Sequence, residues 1–207
     1  MTGQGRGDAS PLRHGYSFLR AFAESWDNPF MTESERAVVM AELAAGAGAL
    51  LPLVRDLSPA QATFRQTAES WSILEVLEHV GVAERGMLWL IRYGTREAGR
   101  QASEPAQDPR WLASAKNRAR KFQAPDPVRP SGRFSTLEQA RQYFQESRRR
   151  TLEFVGRCTD DLRTLSTVHP VAGPIDCHQC LLLLVAHPSR HAQQIREVRA
   201  RPEFPKV

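Results

Sequence analysis

The sequence predicts an all-α protein, a four-helix bundle with long crossover connections. Three observations carry that expectation. Four stretches of roughly 20 residues repeat apolar side chains at helical spacing. Helix-start signals stand at the head of the second and third of them. No segment of any length alternates apolar and polar residues as a half-buried strand does. At 207 residues the chain is long enough for one sizeable core, and one domain is expected over residues 33–200.

Residues 1–32 are rich in Gly, Ser, Asp and Pro and are read as an N-terminal extension, with Tyr16-Ser-Phe-Leu-Arg-Ala-Phe as a short helix that packs on the body. The first long helix runs from Ser34 to about Leu57. Val39, Leu43, Ala47, Leu50, Leu51 and Val54 form its stripe, Glu33 and Glu35 sit at its positive end, and Ser58-Pro59 closes it.

The second helix opens at Ser72, where Ser72 and Glu75 have capping-box spacing, so that each side chain can satisfy the other residue's free amide. Ile73, Val76, Leu77, Val80, Met87 and Ile91 line it, and Gly94 marks its end. At 3.6 residues per turn His79 falls about 90° from the centre of that stripe, at the margin of the core.

A long connection follows, with a short helix expected at Trp111–Arg120. The third long helix begins at Ser135-Thr136-Leu137-Glu138 and reaches Gly156, with Arg148, Arg149 and Arg150 on its exposed face. Asp160, Asp161, His169-Pro170 and Gly173-Pro174 make a turn-rich connection. The fourth helix spans Ile175 to about Val198, its stripe reading Cys180, Leu183, Leu184, His187, His191, Gln194, Ile195 and Val198. Residues 201–207 are a C-terminal tail.

The net charge of +5 comes from one place. Between Arg110 and Arg133 lie Arg110, Lys116, Arg118, Arg120, Lys121, Arg129 and Arg133 against the single acid Asp126. This reads as a basic loop, the alternative being a contact surface for an anionic substrate or RNA. Trp111 and Phe122 are too few for a stacking platform, so nucleic acid is the weakest partner class. The longest apolar run, Cys180 to Ala186, is far short of the roughly 20 residues that span a bilayer, so no membrane crossing is expected.

The first thirty residues lack the apolar core of a secretory signal. Three cysteines, Cys158, Cys177 and Cys180, leave at least one outside any disulfide, which fits a reducing compartment, and the cytoplasm is the default. Cys177-His178-Gln179-Cys180 has C-x-x-C spacing but no second ligand pair, and Cys180 reads as a core residue.

His187 and His191, four apart, share one helix face within reach of a single ion. A histidine pair inside an apolar stripe needs hydrogen-bond partners or a metal, and spacing alone leaves both open. Pro188 removes an amide donor beside His187 and crowds the carbonyl of Leu184, so a kink is expected there. Glu84 reads as a surface carboxylate, with support of a metal site as the alternative. Gln194 continues the histidine face and either bonds within the site or caps a polar pocket. Arg190 lies off that face and reads as solvent-exposed.

Three segments together resemble the DinB-like family of four-helix bundles, also described as YfiT-like metal-dependent hydrolases. Trp71-Ser72-Ile-Leu-Glu-Val-Leu-Glu-His79 is similar to the family's W-S-x-x-E-x-x-x-H opening of helix two. Ala124-Pro125 through Pro130 to Ser135-Thr136-Leu137-Glu138 resembles its proline-marked crossing into helix three. His169-Pro170 and Gly173, followed by His187-Pro-Ser-Arg-His191-Ala-Gln-Gln-Ile195, resembles its H-x-x-R-H-x-x-Q-I ending.

The resemblance covers about residues 33–200. It implies a divalent ion, nickel or zinc, held by His79, His187 and His191, with positions left open for water or a low-molecular-weight thiol. It also implies a small-molecule substrate, a thiol-dependent S-transferase or hydrolase activity, and a homodimer. A non-catalytic metal-binding or stress-related interaction module is the alternative.

Overall fold

A computed structural model of the protein describes residues 31–96 and 102–206. The expected helix at Tyr16–Phe22 lies outside the described residues. The described elements are α1 (Glu33–Leu50), α2 (Pro59–Thr63), α3 (Ile73–Arg92), α4 (Asp108–Lys116), α5 (Leu137–Arg157), the strands β1 (Ser166–His169) and β2 (Gly173–Asp176), and α6 (Cys177–Arg199). Helices α1, α3, α5 and α6 form the bundle. α3 packs on both α5 and α6, α1 packs on α6 and more lightly on α5, and the short α4 lies along α6.

Each long helix starts on a side-chain cap. Thr32 with Glu35, Ser72 with Glu75 and Asp176 with Gln179 make reciprocal capping boxes, and Thr136 accepts from the amide of Gln139. The first helix ends earlier than predicted. Pro52 cannot continue the ladder, so the chain tightens into a 3-10 turn at Leu51–Val54. Ser58-Pro59, expected only as a stop, caps and opens α2 through a further box with Gln61. The expected short helix sits earlier, and the chain leaves it at Asn117 in an extended conformation.

The turn-rich connection before α6 holds a small antiparallel hairpin that the sequence reading missed, with Thr167 opposite Ile175 and Val168 opposite Pro174. Four-residue strands carry too little alternation to register. Ile175, expected at the head of the last helix, belongs to β2. Thr95, just past α3, pairs with Ser166 and fixes the hairpin to the bundle. Gly94 lies under that junction, where a β-carbon would sit 2.2 Å from Cys177 Sγ.

Helix α6 runs uninterrupted through Pro188, so the predicted kink does not end the element. The proline ring is buried against α1, where Gly46 makes room: a β-carbon there would lie 3.4 Å from Pro188 Cβ.

Two of the charged residues read as surface meet inside the bundle. Arg148 and Glu84 are 6% and 1% exposed and form a two-pronged ion pair, Nε to Oε1 at 2.8 Å and Nη2 to Oε2 at 2.9 Å. Thr151 donates to the same carboxylate at 3.0 Å, and Arg148 Nη1 donates to the carbonyl of Leu43 on α1. Arg148 is one turn from buried Phe144 and Glu84 one turn from buried Val80, so both project between helices. They tie α1, α3 and α5 together with their hydrogen-bonding capacity largely met.

The outer face of α5 is polar as expected, with Glu146 bonded to both Arg149 and Arg150. Among the described residues one helical stretch, Glu33–Val54, is long and apolar enough to cross a membrane by length and composition. It is distinct from the longest uninterrupted apolar run, Cys180 to Ala186. Here Val39, Leu43, Gly46 and Leu50 are buried in the bundle, and Glu42 pairs with Lys116.

Candidate metal centre

α3 contributes His79, and α6 contributes His187 and His191 from successive turns. Their Nε2 atoms converge, with His79 to His187 at 3.2 Å and His191 to His187 at 3.1 Å. His79 and His191 are buried and His187 is half-buried. Trp71, just before the cap of α3, lays its ring against His79 with centroids 4.9 Å apart.

The outward nitrogens decide what the inward ones can do. His79 Nδ1–H donates to the carbonyl of Val128 at 2.7 Å, and His191 Nδ1–H donates to Gln194 Oε1 at 2.8 Å. A neutral imidazole that donates through Nδ1 presents a lone pair at Nε2. Two lone pairs therefore face His187 Nε2, which can donate a proton to only one of them. His187 Nδ1 is buried with no hydrogen-bond partner.

Protonating the rings does not relieve the conflict. Burial holds His79 below the ordinary histidine range, partly offset by the bond to Val128. Burial, and then the charge each ring would feel from its neighbours, holds His187 and His191 well below it.

A divalent cation satisfies all three lone pairs at once. Tetrahedral bonds of about 2.0–2.1 Å put ligand nitrogens about 3.3 Å apart, close to the spacing here. The carbonyl and amide behind two of the rings are the partners that fix a ligating histidine's tautomer. The three histidines form a group that could hold a metal ion, and their donor set fits one. Gln194 bonds within the site. Glu84 does not reach it, since its carboxylate faces Arg148 and Thr151 on α5.

A second convergence of Glu35, Asp108 and His178 was not anticipated. Arg163 already fills it, donating to Glu35 Oε1 at 2.7 Å and to Asp108 Oδ2 at 2.6 Å, while His178 Nε2 contacts the same Asp108 oxygen at 3.0 Å. A guanidinium among the carboxylates makes this an ion-pair cluster joining α1, α4 and α6, and it does not fit a metal. The C-x-x-C pair lies in the first turn of α6 with both thiols buried, and burial pushes Cys180 up to about 12, which disfavours its thiolate at neutral pH.

The basic segment is partly neutralised within the fold. Lys116 pairs with Glu42, Arg118 with Glu197 and Arg129 with Asp126. Arg190, expected at the surface, is buried beneath this segment and donates to the carbonyls of Asn117 and Arg120. Its length lets it reach off the histidine face to these loop carbonyls. Residues 123–126 and Arg129 line an open cleft of about 460 Å³ with Pro170 and Val171.

The family profile described as DinB superfamily matches residues 42–195. No curated protein matches. Among solved structures the chain is similar to one described as "Crystal structure of TT2238, a four-helix bundle protein", at 20% identity and a TM-score of 0.52, covering 78% of this chain and 98% of that one. That likeness bears on the fold alone, and the family match extends from α1 into α6 across all three histidines. The chain belongs to the DinB superfamily.

Proposed function

We propose that this protein is a metal-dependent enzyme that uses a divalent ion on His79, His187 and His191 in thiol-dependent S-transfer or hydrolysis of a small molecule. The carrying observation is the convergence of three Nε2 atoms, two with lone pairs set by Val128 and Gln194, onto one point. Structural zinc sites are closed by four protein ligands, whereas three leave a position open. A bound divalent ion supplies Lewis acidity there, favouring deprotonation of a water or thiol near neutral pH. Nickel and zinc both suit imidazole donors.

The residues around the centre supply the rest. His79 and His191 are held in one tautomer and orientation by their outer bonds. Trp71 shields one side of His79 from water. The cleft walled by residues 123–126 belongs to the same connection between α4 and α5 as Val128, and we assign the substrate to it.

The test is a panel of low-molecular-weight thiols and electrophiles, with water as the competing nucleophile, assayed on protein freed of any histidine tag. Turnover is expected to follow metal content and to disappear in His191→Ala with helicity retained. Equal turnover after exhaustive chelation overturns the proposal.

A further inference from the structure

Glu78 precedes His79 on α3 and is buried to 1% exposure. Its carboxylate pairs with no cation among the described residues. Instead Oε1 accepts from the backbone amide of Ser131 at 2.8 Å and from its hydroxyl at 3.3 Å, and Oε2 accepts from the amide of Arg133 at 3.2 Å. A buried acid that accepts backbone amides fixes the position of the segment that supplies them.

That segment is the crossing between α4 and α5. Three residues before Ser131, the carbonyl of Val128 accepts from His79 Nδ1. Two consecutive side chains of α3 thus hold the crossing at two points, one on each side of Pro130. The tautomer of His79 depends on where the Val128 carbonyl lies, and Glu78 is the anchor that keeps it there. Between the two amides Gly132 adopts φ +73°, a conformation that lets both point back at one carboxylate. Ala124, Pro125 and Asp126, which wall the cleft, belong to the same crossing.

From this geometry we infer that Glu78 is a positioning residue for the metal centre, setting the orientation of His79 through the Val128 carbonyl. This rests on the three-histidine metal reading above. Glu84 provides the comparison: it is on the same helix and buried to the same 1%, but it is bonded to α5 and has no link to the crossing. Loss of either acid weakens the fold. Only loss of Glu78 alters the ion's surroundings.

The experiment titrates Co²⁺ into full-length, tag-free protein, reading the visible d–d absorption and measuring affinity by chelator competition, with thermal melting alongside. In Glu78→Gln the new NH2 faces an amide N–H that had an acceptor. Co²⁺ affinity is expected to fall about tenfold, at the lower end of the effect of removing a metal ligand's supporting partner, with a changed band shape. Glu84→Gln is expected to melt lower yet keep the wild-type affinity and spectrum.

If Glu78→Gln does not fold, Ser131→Pro deletes the 2.8 Å amide donor at an exposed loop position and is expected to shift affinity and spectrum the same way. Wild-type affinity and spectrum in whichever of these variants folds, whatever its melting temperature, overturns the inference and leaves the metal reading standing. A wild-type protein that binds no Co²⁺ overturns both.

Discussion

His79 and His187 stand 108 residues apart in the chain, yet their Nε2 atoms lie 3.2 Å from each other. The packing of α3 against α6 brings them there, and Val128 and Gln194 from behind leave two lone pairs aimed at a third ring. Three neutral imidazoles cannot satisfy one another in that arrangement, which makes the centre the part of the molecule most sensitive to a bound cation.

Elemental analysis of tag-free protein is therefore expected to find about one divalent ion per chain. His187→Ala and His191→Ala should each lose it while circular dichroism stays helical, because the alanine remains compatible with α6. Chelation of the wild type should lower its melting temperature, since an ion that binds only the folded state stabilises it. An unchanged melt after complete removal of the ion counts against this site.

Arg148→Met should destabilise the bundle by about 3–5 kcal/mol, because it strands the Glu84 carboxylate between helices. Arg148→Met combined with Glu84→Leu should recover most of that loss. Urea unfolding of the two variants measures the difference. A single variant within about 0.5 kcal/mol of wild type, the range of ordinary surface changes, refutes a buried pair.

Two glycines should respond in opposite directions to alanine. Gly48 is exposed in the last turn of α1 with nothing within 4 Å of a built β-carbon, so Gly48→Ala is expected to stabilise by about 0.4–1 kcal/mol. At Gly94 the new carbon would meet Cys177 Sγ at 2.2 Å, and Gly94→Ala should cost about 1–3 kcal/mol through overpacking. Paired denaturation curves check both signs.

Acid should weaken the Glu35, Asp108, Arg163 and His178 cluster. Burial, followed by the charge of Arg163, holds His178 below its ordinary 6.5, so below that pH the unfolded chain takes up a proton that the folded one resists. For Glu35 burial acts upward, but bonds from Thr32 and Arg163 outweigh it and hold the group below 4.5. Its stabilising contribution is present above that value and is lost as pH falls through the lowered one. Stability should thus decline from about pH 6.5 downward and more steeply below about 4.5. In His178→Gln the upper part of the decline should become shallower, the remainder coming from His79, His187 and His191, which burial also holds low, as read from melting temperature against pH on metal-free protein. An identical profile in that variant assigns the decline to other groups.

Much of this molecule could be read from local sequence. The four long helices, the Ser72–Glu75 box and the His187–His191 pair depend on periodicity and on contacts within one turn, which are physical properties of a short stretch of chain. His79 entered through resemblance, since a single histidine at the edge of an apolar stripe has no periodic signature. Tertiary structure alone decided what depends on partners distant in sequence. It turned Arg148 and Glu84 inward, buried Arg190 beneath loop carbonyls, filled the Glu35–Asp108 cluster with Arg163 and seated Pro188 over Gly46. It also supplied the Val128 carbonyl to His79 and the Ser131 and Arg133 amides to Glu78. A charge is drawn into a core by a partner from another helix, and that pairing exists only after the helices have met.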